Sequence, residues 1–291
     1  MTSRPFILTC AVGAFTTVGA VRAFSPAVAQ DTIRRTLRWS GGGEHTLEVS
    51  NVNGSIYVVG DDRQDVEMIA DRTIDTNGRD GFGETRRNIR LDATEGTDTV
   101  RICADAERCS CGPKDGEWPR EWWRDWDSVR VDFTVRVPKS TRLRLCTINH
   151  GAVTVEGVEG DFDVSNVNGR IEMTGIRGSG RAQTVNGRLN ARFAANPKAP
   201  SSFRTVNGVI EVVFPRDLSA DLRMKTLHGG LYTDFDVTVL PSAPAVAERR
   251  NGQFVYRNDR FAAVRVGRGG PQITFEGVNG DVHVLRGDNQ R

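Results

Sequence analysis

The sequence lacks an excess of charge of either sign, and it lacks the short motifs of several large enzyme classes. Its 291 residues include 39 Lys and Arg against 37 Asp and Glu, a formal net charge of +2, so no broad basic surface for nucleic acid or an anionic membrane is expected. No G-x-S-x-G, H-E-x-x-H, phosphate-loop or dinucleotide pattern is present. Only three tyrosines accompany 31 glycines, which disfavours a helical bundle. We therefore predict no nucleic-acid partner, no cofactor and no metal.

The beginning of the chain has the pattern of a secretory signal peptide. An apolar stretch from Phe6 to Val21 follows an early arginine, and a small-x-small pattern ends at Ala29. The stretch is shorter than the roughly 20 residues that span a bilayer, although an uncleaved membrane anchor is an alternative. We predict that residues 1–29 are a signal peptide and that the chain is exported to the periplasm, the cell surface or the medium.

Export makes the four later cysteines candidates for disulfides, because an even number of cysteines in an exported chain is typical of such bonds. Cys109 and Cys111 are too close in sequence for an unstrained bridge. We therefore expect one of them to pair with Cys103 and the other with Cys146. A zinc site is the weaker alternative, since C-x5-C-x-C is not a common zinc spacing.

A repeated Asn-Gly or His-Gly pair is the clearest pattern in the chain. From Gly151 the glycines recur at steps of 18, 18, 21 and 21 residues, followed by a gap of 51. Self-similarity at such a step indicates stacked units. The seven pairs are Asn53-Gly54, His150-Gly151, Asn168-Gly169, Asn186-Gly187, Asn207-Gly208, His228-Gly229 and Asn279-Gly280.

Each pair is followed by a short strand. In SNVNGRIEMTG, Ile171 and Met173 alternate with Arg170 and Glu172, which gives the strand one apolar face. Glycine, and after it asparagine, tolerates positive φ, so the pair predicts a left-handed corner. The corner fits a hairpin in an antiparallel meander or sandwich, or a bend in a β-solenoid. Frequent glycines, and an 18-residue coil that divides into three short strands, favour an all-β, β-helix or β-solenoid-like stack.

The first third of the mature chain is less regular. HTLEVSNVNGSIYVVG contains one early copy of the repeat, and DSVRVDFTVRVP alternates cleanly. Before the second of these lies the insertion CADAERCSCGPKDGEWPREWWRDW, which is rich in Cys, Trp and charge. We divide the mature chain into an N-terminal β region, 30–140, with this Cys/Trp insertion at 103–127, and a β-repeat domain, 141–291.

The repeat resembles the bacterial DUF4097 family of β-strand-repeat, candidate adhesin domains. The resemblance rests on VRVDFTVRVPKSTRLRLCTINHGAVTVEGVEGDFDVSNVNGRIEMTG, on the later TVNG copies and on GRGGPQITFEGVNGDVHVLRG. It covers residues 45–286 and implies an extracytoplasmic β-helix-like domain with no established enzymatic activity. His150 and His228 replace the usual asparagine, and the Cys/Trp insertion is not part of the family pattern.

Two D-F-D segments offer pairs of carboxylates. In GDFDV and TDFDV both aspartates are expected on one strand face, with the phenylalanine on the other. Such pairs can serve as the acid and nucleophile of a glycosidase or bind Ca²⁺, while a solvated strand face is the simpler interpretation. The four residues are Asp161, Asp163, Asp234 and Asp236.

Four tryptophans are concentrated in the insertion: Trp118, Trp122, Trp123 and Trp126. Three of them recur at every fourth position, and Pro119 is suited to start a short helix. Clustered rings on an exported protein can stack on sugars or lie at a membrane interface. Alternatively, they cover an open end of the β-stack.

The sequence as a whole predicts an exported, non-enzymatic β-repeat protein that functions in adhesion, envelope structure or partner binding. An envelope glycan and another envelope protein are the candidate partners. Two alternatives are a carbohydrate-active enzyme that uses an Asp pair on a β-helix, and an envelope sensor whose Cys/Trp insertion contacts another protein or the membrane surface.

Overall fold

Two β-sheets face each other across a shared apolar core. The computed structural model describes residues 28–75, 91–104, 129–241, 246–250, 253–257 and 261–287. These residues form strands, turns and irregular segments, so the predicted all-β class is confirmed. Among them there is no helix with the length and apolarity needed to cross a membrane. The predicted signal peptide lies almost wholly outside the described residues, and its cleavage point after Ala29 falls near the start of the first strand.

One sheet has ten strands, the other has eleven, and a separate hairpin has two. In spatial order, sheet A consists of β1 (Val28–Leu37), β4 (Val66–Asp75), β7 (Val129–Pro138), β3 (Ile56–Asp61), β9 (Val153–Glu156), β11 (Ile171–Ile176), β13 (Leu189–Phe193), β15 (Ile210–Phe214), β23 (Val282–Arg286) and β17 (Leu231–Thr233). Sheet B consists of β18 (Val237–Val239), β21 (Ala262–Val266), β16 (Ala220–Lys225), β22 (Gln272–Asn279), β14 (Ser201–Asn207), β12 (Gly180–Asn186), β10 (Phe162–Asn166), β8 (Arg142–Thr147), β2 (Thr46–Ser50), β6 (Thr99–Cys103) and β5 (Asp92–Glu95). The hairpin consists of β19 (Val246–Arg250) and β20 (Gln253–Arg257).

The chain alternates between the two sheets, and one strand from each sheet makes up one coil. From β8 to β15, successive strands of sheet B pair in parallel with one another, as do those of sheet A. The predicted solenoid-like stack is therefore confirmed. The antiparallel meander is wrong, because the strand after each Asn-Gly pair lies in the opposite sheet. The expected third strand is also wrong, since only residues 177–179 separate β11 from β12.

The spatial order of the coils differs from their order in the chain at two places. The coil β22/β23 lies between β14/β15 and β16/β17. Likewise, β2/β3 lies between β6/β7 and β8/β9. Antiparallel strands flank the parallel stack, with β4 and β1 in sheet A and with β5, β21 and β18 in sheet B. The predicted boundary between residues 140 and 141 falls between β7 and β8, and the strands on both sides of it contribute to both sheets.

In-register stacking places apolar side chains of one coil directly over those of the next. Phe203 stacks on Phe275 with ring centroids 5.4 Å apart, and Phe193 stacks on Phe214 at 4.8 Å. All four rings are buried. Burial of a side chain of this size stabilises the fold by roughly 1.5–3 kcal/mol. Packing in the core therefore favours a register that keeps like residues aligned.

The corner glycines are required by the close approach of neighbouring coils. A Cβ added at Gly169 would lie 2.0 Å from the carbonyl oxygen of Gly151, and one at Gly187 would lie 2.2 Å from that of Gly169. Gly54 (φ 117°) and Gly280 (φ 140°) do have left-handed backbones, whereas Gly169 and Gly187 do not. The prediction that a left-handed bend explains every copy is therefore wrong, because the neighbouring backbone leaves no room for a side chain at any of them.

The asparagines of the pairs form a ladder of side-chain amides along the corner. Asn168 Nδ2 donates to Asn149 Oδ1 at 2.7 Å, and Asn186 Nδ2 donates to Asn168 Oδ1 at 2.8 Å. Asn207 and Asn279 continue the ladder, with both bonds 2.7 Å long. Asparagine is therefore favoured here because one amide can donate and accept at once, and not because it tolerates positive φ.

Buried threonines two residues before the pairs complete the corner. Thr184 Oγ1 donates to the Gly169 carbonyl at 2.9 Å, and Thr205 Oγ1 donates to the Gly187 carbonyl at 3.1 Å. Both threonines are buried. The T-x-N-G segment thus combines a buried donor to the neighbouring coil, a ladder amide and a residue without Cβ.

The two histidines do not occupy equivalent places. Asn149 takes the ladder position, so His150 is an additional residue, with a φ of 56°. His228 instead pairs with Asn279 through a parallel bridge at the end of the ladder. The expectation that both histidines replace asparagine in one repeat position is therefore wrong for His150.

Candidate binding surfaces

The Cys/Trp insertion replaces the corner of one coil. Trp118, Trp122, Trp123 and Trp126 lie outside the described residues, as do Cys109 and Cys111. The described chain stops at Ala104, just after β6 in sheet B, and resumes at Val129, where β7 begins in sheet A. The insertion therefore joins the two sheets at the edge where the other coils turn through Asn-Gly.

Polar side chains fix the strand on which the insertion ends. Asn51 Nδ2 donates to the Val131 carbonyl at 2.8 Å, and Asn51 is almost completely buried. Asp132 Oδ1 accepts a hydrogen bond from the Ser55 amide at 2.7 Å and bonds to Arg130. Burial alone would raise the pKa of Asp132, but the bonds from Arg130 and Ser55 outweigh it and hold the pKa below its ordinary value. The attachment of β7 is therefore well defined.

Two of the four predicted disulfide cysteines flank one serine on the outer face of sheet B. Cys103 and Cys146 each align with Ser50, from β6 and β8 respectively. All three side chains are buried, although their strand positions alternate with core residues Leu145 and Ile102. Two strand spacings separate the cysteines, roughly 9.6 Å, which is too far for a bond between them. Their predicted partners, Cys109 and Cys111, lie outside the described residues.

Of the first aspartate pair, Asp163 lies on the outer face of sheet B, as predicted, whereas Asp161 directly precedes β10. Phe162 is buried, while Asp163 makes two hydrogen bonds to Arg181 at 2.6 and 3.2 Å. These bonds raise the pKa of the Arg181 guanidinium. Asp161 accepts a hydrogen bond from the Ser179 amide at 3.0 Å. Both carboxylates are thus engaged within the sheet.

The second aspartate pair lies on a bend between β17 and β18, not on a strand as expected. Asp234 Oδ1 accepts a hydrogen bond from the Arg286 amide at 2.7 Å, and Asp236 lies 3.3 Å from the Arg286 guanidinium. Four coil spacings, roughly 19 Å, separate this bend from β10 along the stack. The structure therefore does not bring the four aspartates together.

A groove on the outer face of sheet A was not predicted from the sequence. It consists of two adjoining cavities of about 690 and 280 Å³, which share Thr174, Arg192, Glu211 and Val213 in their linings. The larger cavity crosses β11, β13, β15 and β23, and the smaller one extends the groove to β9. The larger cavity is within the size range of ligand sites.

A bulge in β11 shapes one side of this groove. Thr174 pairs with Arg192, but the next register pair joins Ile176 to Phe193, which leaves Gly175 as an extra residue. Gly175 has a φ of 70°, and Ile176 turns into the core. Bulges of this kind redirect a strand and occur often beside functional sites.

The groove combines charges of both signs with an aliphatic floor. The side chains of Arg192 and Glu211 make no hydrogen bond or ion pair with the described part of the chain. Val213 is 7% exposed although it occupies an outward position, and Leu285 lies beside it on the next strand. Sequence alternation missed the groove because it identifies outward residues but not which of them lack a partner.

Comparisons with known proteins do not assign a family. No family model matches the chain, and no curated protein sequence matches it. A crystal structure of a candidate cell adhesion protein from Clostridium sporogenes has a TM-score of 0.48 and 9% identity, covering 89% of this chain and 100% of that one. A candidate adhesin from Bacteroides fragilis has a TM-score of 0.37 and 12% identity, with coverages of 88% and 97%. A candidate lipid-binding protein from Parabacteroides distasonis has a TM-score of 0.21 and 11% identity, with coverages of 89% and 97%. The resemblance to DUF4097 stays a prediction, and function must be argued from the residues of this chain.

Proposed function

We propose that the chain is an exported, non-enzymatic binding module of the cell envelope, in which a rigid β-solenoid presents the Cys/Trp insertion to a partner. One observation carries this proposal: the insertion starts in one sheet and ends in the other, at a single coil of a densely hydrogen-bonded stack. Binding residues often lie on loops that a rigid scaffold positions. A connection of this length between two strands is uncommon in a compact domain.

Two disulfides would fasten the insertion to the scaffold. We assign Cys103 to one of Cys109 and Cys111, and Cys146 to the other. The separation of Cys103 and Cys146 across β2 supports this assignment, because each must find its partner elsewhere. Both sit at the same level of sheet B, close to the point where the insertion leaves it.

The four tryptophans are the proposed binding element, and an envelope glycan is the proposed partner. Indole rings stack on the apolar faces of sugars and also offer an N–H donor. A second envelope protein is the other candidate, and the experiment below distinguishes the two.

The test is retention of purified protein on insoluble peptidoglycan and on a glycan array. We expect wild type to bind, and we expect a variant lacking residues 113–127 to lose at least tenfold in affinity, since truncation of a single tryptophan hot spot commonly costs about 2 kcal/mol and about 1.4 kcal/mol is already tenfold. Replacement of the four tryptophans by alanine should reproduce the loss. Tyr232→Ala is the matched control, because Tyr232 is 50% exposed and lies near the far end of the stack.

Equal binding by wild type and the deletion variant would refute the role of the insertion. Failure of wild type to bind any glycan, together with tryptophan-dependent capture of an envelope protein, would reject the glycan in favour of the protein partner. Unfolding midpoints must agree among the variants, so that the loss is not a folding defect.

Export has its own test. Expression of the full chain in a bacterial host, followed by fractionation and N-terminal sequencing, should give a mature protein outside the cytoplasm that begins at Gln30. Recovery of the uncleaved chain in the membrane fraction would instead support the anchor alternative.

A further inference from the structure

The groove on sheet A is separate from the insertion. All of its lining residues lie between 154 and 287, in the part of the stack beyond β8. It faces away from the core on the sheet opposite to the one that carries Cys103 and Cys146. Its chemistry can therefore be tested with the insertion intact or removed.

The charges of the groove contrast with those on the outer face of sheet B. On sheet B, opposite charges pair across neighbouring strands: Asp163 with Arg181 at 2.6 Å and Asp221 with Arg265 at 2.7 Å. In the groove, Arg192 and Glu211 lie on neighbouring strands but do not pair. Arg192 is aligned with Val213, and Asn190 is aligned with Glu211, so the two charges are diagonal neighbours roughly 7–8 Å apart.

The floor beneath these charges is aliphatic. Val213 and Leu285 are aligned across β15 and β23, in the same row as Arg192. Pro215 and Gly287 extend the apolar lining at the end of these strands. The Asn190 Oδ1 atom in the smaller cavity also has no hydrogen-bond partner. Three further charged side chains line the groove, but each has a partner: Arg286 with Asp236, Glu156 with Tyr57 and Glu172 with Arg170. An occupant would thus meet the charges of Arg192 and Glu211 beside an aliphatic strip.

We infer that the groove binds an extended peptide segment that places a carboxylate beside Arg192, a basic side chain beside Glu211 and an aliphatic side chain over Val213 and Leu285. Three strand spacings separate β11 from β23, roughly 14 Å, which corresponds to about four residues of extended chain at 3.3–3.4 Å each. Peptides offer opposite charges and an aliphatic group within that length. Charge complementarity is the argument for this occupant, since hydrogen bonds to charged groups are the strong ones.

The test uses fluorescence anisotropy with labelled synthetic pentapeptides. The probes are Glu-Ala-Lys-Ala-Leu with blocked ends, its reverse-charge counterpart Lys-Ala-Glu-Ala-Leu, and the neutral Gln-Ala-Gln-Ala-Leu, in which the two charges and the leucine lie on one face of the extended chain. We expect one of the two charged probes to bind with a Kd below about 1 mM and the neutral probe to bind at least tenfold more weakly. Arg192→Ala and Glu211→Ala should each weaken binding of the charged probe at least tenfold.

Two further variants make the test specific. Arg188→Ala removes an exposed arginine on the same coil outside the groove and should leave binding unchanged. The double variant R192E/E211R exchanges the two charges and should reverse the preference between the two charged probes. These side chains have no partner within the described residues, so unfolding midpoints should remain close to wild type.

The inference is overturned if neither charged probe binds at 2 mM, or if Arg192→Ala and Arg188→Ala have equal effects. It is also overturned if an acidic glycan, and no peptide, binds in a manner that requires Arg192. None of these outcomes bears on the glycan retention test of the insertion, so the two proposals can fail separately.

Discussion

The middle of the stack and the coil that carries the insertion hold their strands together by different means. In the middle, the corner contacts involve no charged side chain: glycines admit the neighbouring backbone, threonines donate to it, and asparagines form the ladder. At the insertion, Asn51 donates a hydrogen bond to the backbone of β7, and Asp132 of β7 accepts one from the Ser55 amide. A repeat can thus lack its corner motif at one coil if side chains of that coil and of the adjacent one supply hydrogen bonds between them.

The largest loss of stability is expected from a substitution at a corner glycine of the middle coils. Gly187→Ala would place a Cβ 2.2 Å from the Gly169 carbonyl oxygen, where only backbone movement can relieve the contact. We expect a loss of about 3 kcal/mol in the free energy of unfolding, because overpacking against a rigid backbone is costly. Urea unfolding followed by circular dichroism measures it.

Gly42→Ala is the matched control, since nothing lies within 4 Å of a Cβ at that position. It should change the free energy of unfolding by less than about 0.5 kcal/mol. Equal effects of the two substitutions would mean that the corner glycine is selected for chain flexibility and not for the contact with the neighbouring coil.

The next effect tests the side of the insertion. Asn51→Ala removes the donor to the Val131 carbonyl and the acceptor of the Val52 amide. Because the site is buried, we expect a loss of about 2 kcal/mol in the free energy of unfolding. Hydrogen exchange should increase at β7 more than at β12. An equal increase in hydrogen exchange at β7 and β12 would show that Asn51 does not stabilise β7 specifically.

A smaller loss of stability is expected when a buried threonine of the middle coils loses its hydrogen bond to the neighbouring coil. Thr205→Val keeps the shape of the side chain but removes its bond to the Gly187 carbonyl. We expect a loss of about 1 kcal/mol in the free energy of unfolding, because the carbonyl oxygen remains buried with fewer partners. Thr154→Val, on the outer face of sheet A, is a control that should have little effect.

The smallest effect on stability depends on pH and comes from a charged side chain on β7, where the insertion ends. The pKa of Asp132 is lowered in the folded protein, so its ionised form stabilises folding above the unfolded pKa, and this contribution is lost as the pH falls through the folded pKa. Asp132→Asn should cost less than about 1 kcal/mol at pH 7, because the pair with Arg130 is partly exposed. The difference from wild type should vanish near pH 2. A difference that stays constant with pH would contradict this role of the charge.

Much of the fold could be predicted because the repeat is local. The alternation of Ile171 and Met173 with Arg170 and Glu172 identified the inward face, and burial matches it. The recurrence of Asn-Gly located each corner correctly. Both signals arise within one coil, so they can be read without knowing what the coil touches.

The errors concern contacts between coils, which no single copy of the repeat reveals. The role of Gly187 depends on a carbonyl 18 residues earlier in the chain, and the place of His150 depends on Asn149 filling the ladder. The insertion of β22/β23 between two coils that are consecutive in sequence is likewise non-local. The groove was missed for the same reason, since the lack of a partner for Arg192 is a property of three neighbouring strands.

The order of the coils offers the most direct test of the stacked, in-register architecture. Thr154, Glu172, Asn190, Glu211, His283 and Tyr232 form one continuous row across sheet A. Spin labels on non-canonical amino acids at Thr154 and His283, and at Thr154 and Tyr232, leave the native cysteines untouched. Electron-spin distance measurements should give the longer distance for Tyr232, with backbone separations of roughly 19 and 24 Å. A longer distance for His283, as expected if the coils stacked in sequence order, would contradict the account.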